Sequence, residues 1–259
     1  MSYGLCNLPV IPLRVEATHR SEMASQVLFG EFFEVLDSRK SWSLIRLAYD
    51  GYEGWVEDKQ FVEISKSLFD SLTSSKQYIT GLSSHSVCLK LGLEEMINLL
   101  PGSTLPFLED TKFEIQGQDY LYLGESSIPD ASNFFKELEE TAQFYLNAPY
   151  LWGGRTLYGI DCSGFSQMVY KHLGVPIFRD AKQQVNEGRS VDLQDTQAGD
   201  LAFFDNDEGV ITHVGIVLED SEIIHASGRV KVDRLDEQGI FCTDTQTYSH
   251  KLKVIKRII

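Results

Sequence analysis

Hydrophobic positions along this chain fall into three regimes. From Tyr3 to Ile64 they come in short alternating runs, Val10 to Val15, Gln26 to Phe29, Phe32 to Leu36, Trp42 to Leu47 and Gly54 to Val56, parted by Asp37-Ser38, Asp50-Gly51 and Glu53-Gly54. A period of two with turn residues between runs predicts a small all-β barrel over 1–64. A polar, serine-rich connector occupies 65–77. Further short runs, Val87 to Leu91, Pro101 to Leu105, Phe113 to Gln116 and Tyr120 to Leu123, predict a second β unit over 78–125. In 126–259 the period changes. Phe134, Phe135, Leu138, Ala142, Tyr145 and Leu146 recur with helical spacing, and so do Phe165, Met168, Val169, His172 and Leu173. Asp200 to Phe204, Thr212 to Leu218 and Glu222 to Ser227 then read as strands, which makes this last domain α+β.

Chemistry enters at the start of the second helix. Gly153-Gly154 and Gly159-Ile160-Asp161 lead directly into Cys162. A cysteine in a first helical turn meets unpaired backbone N–H groups and the positive end of the helix dipole, so its pKa is expected to fall. A nucleophilic thiol needs a base, and the base needs a group to orient it. His213 and His225 fall on neighbouring strands, and His213 shares a face with Gly215 and Val217. That face is expected to turn toward the helix of Cys162. The pattern thus offers Cys162 as nucleophile, His213 as general base and His225 as its orienting partner.

Each of these residues has a plainer explanation when taken alone: a buried helical cysteine, or a satisfied sheet histidine. Their order and number favour catalysis. A zinc site from the same three is set aside, because no two lie at the short spacing of paired metal ligands, so no metal and no cofactor is expected. Asp161 also fits a helix N-cap, a role compatible with any other. His19, His85, His172 and His250 carry no partner pattern and are assigned to solvated or helix-surface positions. Cys6, Cys88 and Cys242 are assigned to structural roles.

Composition narrows the partners. The 259 residues are 42% hydrophobic and 24% charged, as in a folded globular protein, and the formal net charge is -15. Nucleic acid and anionic membrane would both be repelled. The N-terminal stretch has no basic segment followed by an apolar one, and no apolar run is long enough to span a bilayer. Four cysteines without CxxC spacing suit a reducing compartment, and a cytoplasmic location is expected.

Tyr150 with Trp152-Gly-Gly, Asp161-Cys-Ser-Gly-Phe, Ala198-Gly-Asp-Leu, His213-Val-Gly-Ile and Ile224-His-Ala resemble, in order and spacing, the NlpC/P60-type cysteine peptidases of bacterial cell walls. The resemblance covers about Asn133 to Ile259 and implies a papain-like peptidase fold. It implies the same roles for Cys162, His213 and His225, and adds Tyr150 beside the oxyanion. Pro12-Leu-Arg, the Gly30-Glu31 turn and Gly54-Trp-Val resemble a bacterial SH3-like domain, and the second β unit resembles a diverged copy.

Arg179-Asp180-Ala181 with Gln184 is similar to the branch that trims peptides recovered from peptidoglycan. By that resemblance the substrate is a short wall peptide with a free N-terminal L-alanine, cut between γ-D-glutamate and an L-diamino acid. Asp161, with Ser163, Tyr52 and Glu31, would then surround the free amine, Glu34 and Glu53 competing with Glu31 for the acidic place, and Arg179 and Asp180 would line the substrate site. Ala181 stands where some relatives carry a hydroxyl, so diamino-acid contacts are not carried over there. Two other readings use the same residues: an amidase or acyltransferase acting on another amide or ester, and a non-catalytic binder of wall peptides. The oligomeric state is not legible.

Overall fold

The computed structural model describes residues 2–259, which form two compact units, one ending at Pro129 and the other spanning Asp130–Ile259. In the first unit β1 (Ser2–Leu5), β2 (Val10–Arg14), β3 (Met23–Leu28), β4 (Phe32–Arg39), β5 (Trp42–Leu47), β6 (Glu53–Glu57) and β7 (Val62–Ile64) make one antiparallel sheet. Its order is β3-β2-β6-β5-β4-β1-β7. Alternation places Ile11, Leu13, Val27, Phe33, Ile45 and Val56 inside, in one cluster. Strands β1 and β7, of four and three residues, are too short for alternation to show in the sequence.

The connector holds more than a linker. Lys66–Ser74 is helix α1, capped by Ser65, whose hydroxyl accepts from the Leu68 N–H at 3.1 Å. Its serines and threonine satisfy themselves locally: Ser71, Thr73 and Ser74 each donate to the carbonyl four residues back. Those hydroxyls hide the helix from a reading of composition. After it come β8 (Tyr78–Thr80), β9 (Ser86–Lys90), β10 (Glu95–Leu99), β11 (Thr104–Leu105), β12 (Lys112–Ile115), β13 (Gln118–Leu123) and β14 (Ser126–Ser127). They form two small sheets, β10-β9-β13-β12 and β11-β8-β14. Cys88, Leu99, Phe113, Tyr120 and Tyr122 share one core with Leu5, Phe29 and Leu72, which is why this unit is continuous through residue 129.

The second unit opens with α2 (Phe134–Gln143) and a two-stranded turn, β15 (Arg155–Thr156) and β16 (Gly159–Ile160). These lead into α3 (Cys162–His172), every residue of which is buried, and the short α4 (Ala181–Gln184). The remaining strands are β17 (Arg189–Val191), β18 (Leu201–Asp205), β19 (Ile211–Val217), β20 (Glu222–Ser227), β21 (Arg229–Asp236), β22 (Gly239–Cys242) and β23 (Thr247–Arg257). The sheet order is β17-β23-β18-β19-β20-β21-β22, and β22 also pairs with β23. That last pairing closes strands β18 to β23 into a ring.

Phe204, Val217 and Ile223 cluster with Leu235, Ile240 and Ile255, all of them strand residues. His213 lies on the face of Val217. Helix α3 packs against β19 and β20.

Candidate active site

Cys162 is the first residue of α3, and Asp161 is its N-cap. The Asp161 carboxylate is saturated with donors. Oδ1 accepts from the Gly164 N–H at 2.6 Å, Ser163 Oγ at 3.3 Å and Arg179 Nη1 at 3.0 Å. Oδ2 accepts from the Gly153 N–H at 2.8 Å and Arg179 Nη2 at 2.6 Å. Two glycines, a helix start and a buried guanidinium thus converge on one carboxylate. Arg179 is 1% exposed and also donates to Ser163 Oγ at 2.9 Å. Placed at the substrate by sequence, it is enclosed and paired with the Asp161 carboxylate. Asp180 is half-buried at the start of α4, its N–H bonded to Gln183 Oε1 at 3.2 Å.

Strands β19 and β20 pair at Ile216–Ile224 and Val217–Ile223, and the hydrogen-bonded ladder stops before His213. The splay frees the Val214 N–H, which approaches the Cys162 sulfur. The helix start therefore meets the strand at the residue after His213. Gly215 keeps the gap passable, since a Cβ there would lie 2.9 Å from the Cβ of His225 and 2.7 Å from Ile223.

From His213 a chain of hydrogen bonds runs inward. His213 Nε2 lies 2.8 Å from His225 Nδ1, and His225 Nε2 lies 3.1 Å from Asp233 Oδ2. Asp233 is held by the Thr243 N–H at 2.8 Å, Thr243 Oγ1 at 3.0 Å and Lys231 Nζ at 2.9 Å. Burial raises its pKa, but the bonds from His225, Thr243 and Lys231 hold it well below the usual carboxylate range.

An ionised Asp233 fixes both tautomers. It can only accept, so His225 must carry its proton on Nε2 and accept at Nδ1. His213 must then donate from Nε2, which leaves a lone pair on Nδ1. Burial lowers both histidines below their ordinary value, His213 strongly and with further help from His250 and His225, so both rings are neutral.

The thiol differs from expectation. Burial first, then the Asp161 carboxylate, pushes Cys162 up to about 12, against the opposing pull of the Val214 N–H, Arg179 and the Ser163 N–H. Desolvation thus outweighs the helix start. At rest the pair is thiol and imidazole. Tyr150 is 37% exposed, and burial together with the Cys162 and Asp161 charges pushes it up to about 12, so it stands near the sulfur as a neutral phenol that can donate.

Two neighbours were missed by sequence. Asp233 could have been found from alternation in Arg229-Val-Lys-Val-Asp, which puts Lys231 and Asp233 on one face beside the strand of His225. His250, assigned to the surface, stacks on His213 with ring centroids 4.0 Å apart and planes at 21°. Nitrogens of His213, His225 and His250 lie within 4.8 Å of one another, as a metal site would require. The stacking argues against one, because nearly parallel rings aim their in-plane lone pairs past a common point.

In the first unit Glu31 is 3% exposed, and its Oε2 accepts from the Leu28 N–H at 2.9 Å. Tyr52 is half-buried and packs against the barrel core.

The NlpC/P60 family matches residues 147–247, and the bacterial dipeptidyl-peptidase Sh3 domain matches 13–61. The gamma-D-glutamyl-L-lysine dipeptidyl-peptidase of Bacillus subtilis is 30% identical over 215 residues, covering 78% of this chain and 71% of that protein. The chain belongs to the NlpC/P60 family. A second protein of the same description, from Bacillus cereus, is 28% identical over 231 residues, 81% of this chain and 68% of that one. A crystal structure of an NlpC/P60 family protein from Bacillus cereus shares the fold, with a TM-score of 0.81 at 20% identity over 99% of each chain. Within the family this chain is a cysteine endopeptidase. Among the described residues no helix is long and apolar enough to cross a membrane.

Proposed function

We propose that this chain hydrolyses the bond between γ-D-glutamate and an L-diamino acid, lysine or diaminopimelate, in short cell-wall peptides with a free N-terminal L-alanine, and that it does so in the cytoplasm. One observation carries the reading. The two Bacillus relatives, both named gamma-D-glutamyl-L-lysine dipeptidyl-peptidases, match over 81% and 78% of this chain and so reach beyond the peptidase family's own segment. An enzyme that releases dipeptides must recognise the amino end of its substrate. Asp161, Ser163, Tyr52 and Glu31 are assigned to that amine, Asp180 to the peptide beyond it, and Arg179 to holding Asp161.

In this reading Cys162 is the nucleophile and His213 the base. His213 Nδ1 takes the thiol proton as sulfur attacks the γ-carbonyl, so no resting thiolate is needed. His225 and Asp233 stabilise the imidazolium that forms. The N–H groups at the start of α3, with Tyr150, hold the oxyanion. His213 then protonates the leaving amine, and water releases the acyl-enzyme. We read 126–259 as papain-like, on the strength of a cysteine-bearing helix set against an antiparallel sheet. The two small antiparallel sheets, which run from Tyr78 to Ser127, support a diverged SH3-like unit over 78–125 joined to 1–64 through 65–77.

The test is mass spectrometry of L-Ala-γ-D-Glu-L-Lys and its diaminopimelate counterpart, each with and without an N-acetyl cap. Release of L-Ala-D-Glu from the free-amine forms alone is expected. Equal cleavage of capped peptides would remove the amine assignments, and no cleavage of any would overturn the substrate.

A further inference from the structure

We propose that His250 is a positioning residue for His213, a flat lid that fixes the plane of the base. This rests on the reading of His213 as the base. His225 fixes one nitrogen of the His213 ring but meets it at 85°, so it restrains an edge and leaves the ring able to turn about that bond. His250 supplies a face, at 4.0 Å and 21°. Phe204 is tilted at 47° and 5.8 Å, too far and too oblique for the same task. With an edge and a face both held, Nδ1 has one direction left.

The sheet is irregular where it would need to be for this purpose. Strand β23 carries His250 opposite Ile240 of β22, and the register shifts between Ile240 and Phe241. On its other edge, β18 shifts between Phe203 and Phe204, and Phe204 in turn faces His213. Bulges of this kind re-aim a side chain. Gly239 takes φ +133, and a Cβ there would lie 1.8 Å from the His250 carbonyl oxygen, so β22 can close on this residue only as glycine. Ser249 Oγ lies 2.9 Å from His250 Nδ1 and holds the outer edge of the ring.

Charge favours the same role. The groups facing His250 are His225, Lys231 and Asp233, besides His213 itself. Burial, with Lys231 and His225, brings its pKa down to about 4 against the pull of Asp233, so the ring stays neutral above that. A neutral aromatic face can stabilise the imidazolium formed when His213 takes the thiol proton, whereas a charged one would oppose it.

The experiment compares His250→Phe, His250→Ala and His250→Gln with the unaltered chain by two readouts. One is kcat and KM on the wall tripeptide; the other is the rate of Cys162 alkylation by iodoacetamide, which needs no assumption about substrate. His250→Ala and His250→Gln are expected to lower kcat about tenfold or more with KM little changed, since a misaimed base costs rate and not binding. His250→Phe keeps the face and is expected to stay within about threefold of the unaltered chain. Alkylation should follow the same order, with His213→Ala lowest. Equal rates for Ala, Phe and the unaltered chain would overturn the proposal, and so would an equal loss in Phe and Ala. Alkylation indifferent to His213→Ala would instead remove the base assignment on which the proposal rests, whatever His250 does.

Discussion

Cys162 and Cys242 are almost equally enclosed, at 6% and 5% exposure, yet their thiols are driven in opposite directions. At the start of α3, burial and the Asp161 carboxylate raise Cys162. At the end of β22, the Lys231 ammonium 2.9 Å from the Cys242 sulfur, aided by Thr245, lowers that thiol below its ordinary value. Residue exposure alone therefore does not decide which cysteine ionises: desolvation, with the Asp161 carboxylate second, raises Cys162, whereas the hydrogen bond from Lys231 lowers Cys242. In the proposed mechanism the nucleophile is the cysteine that stays protonated. That mechanism takes its reactivity from His213, a base with a lone pair on Nδ1, whereas the group bonded to Cys242 is the Lys231 ammonium.

The largest break in this comparison is a swap of thiols. Cys162→Ala is expected to lower kcat on the wall tripeptide at least about a thousandfold, the scale of losing a nucleophile outright. Cys242→Ser should leave kcat within about twofold, as a substitution outside the reacting groups. Circular dichroism should show both variants folded. Full activity in Cys162→Ala would move the chemistry elsewhere.

A smaller effect is expected two steps behind the base, beyond His225. Asp233→Asn keeps the size of the side chain and removes the obligate acceptor, so the amide can donate to His225 and reverse both tautomers. His213 would then present N–H to the sulfur. A fall in kcat of about a hundredfold is expected, less than direct loss of the orienting group in a triad because His225 stands between. The pH profile sharpens the point. With His213 well below its ordinary value and Cys162 near 12, the reacting forms are neutral imidazole and thiol, so kcat/KM should stay level as pH falls from 8 through about 6.5. A profile that drops with a midpoint at the ordinary histidine value would contradict the buried neutral relay.

How much of this was legible differs by residue. Cys162, His213 and His225 announce themselves through local context: glycines before a helix, and histidines on adjacent short strands. The N-cap role of Asp161 followed from its place before an apolar helix. Asp233 and His250 lie in strands whose pairing only the closed ring brings together, and β23 reaches the site from 37 residues beyond His213 through a bulge. Alternation in one strand cannot register that. The pKa of Cys162 was misjudged for a related reason: the helix start is a local feature, whereas desolvation depends on every residue packed around it. The helix at 66–74 was read as a connector because its hydroxyls bond to their own backbone.

The smallest effect concerns the other cysteine. Because Lys231 lowers Cys242, its thiolate fraction near neutral pH exceeds that of an ordinary thiol, and brief iodoacetamide treatment at pH 7.5 should label Cys242 ahead of Cys162. Lys231→Met removes the charge while keeping most of the side chain's length. Labelling of Cys242 should then slow about threefold, and its rise with pH should move upward, since the folded pKa climbs back toward the ordinary value. The same substitution takes a donor from Asp233, which keeps its bonds from Thr243 and His225. A slight loss of kcat, about twofold to threefold, is therefore expected beside the change in labelling. Peptide mapping by mass spectrometry separates the two sites. If Cys162 labelled first in the unaltered chain, its sulfur would be ionised at rest, and the contrast between the two cysteines would be the reverse of the one drawn from their neighbours.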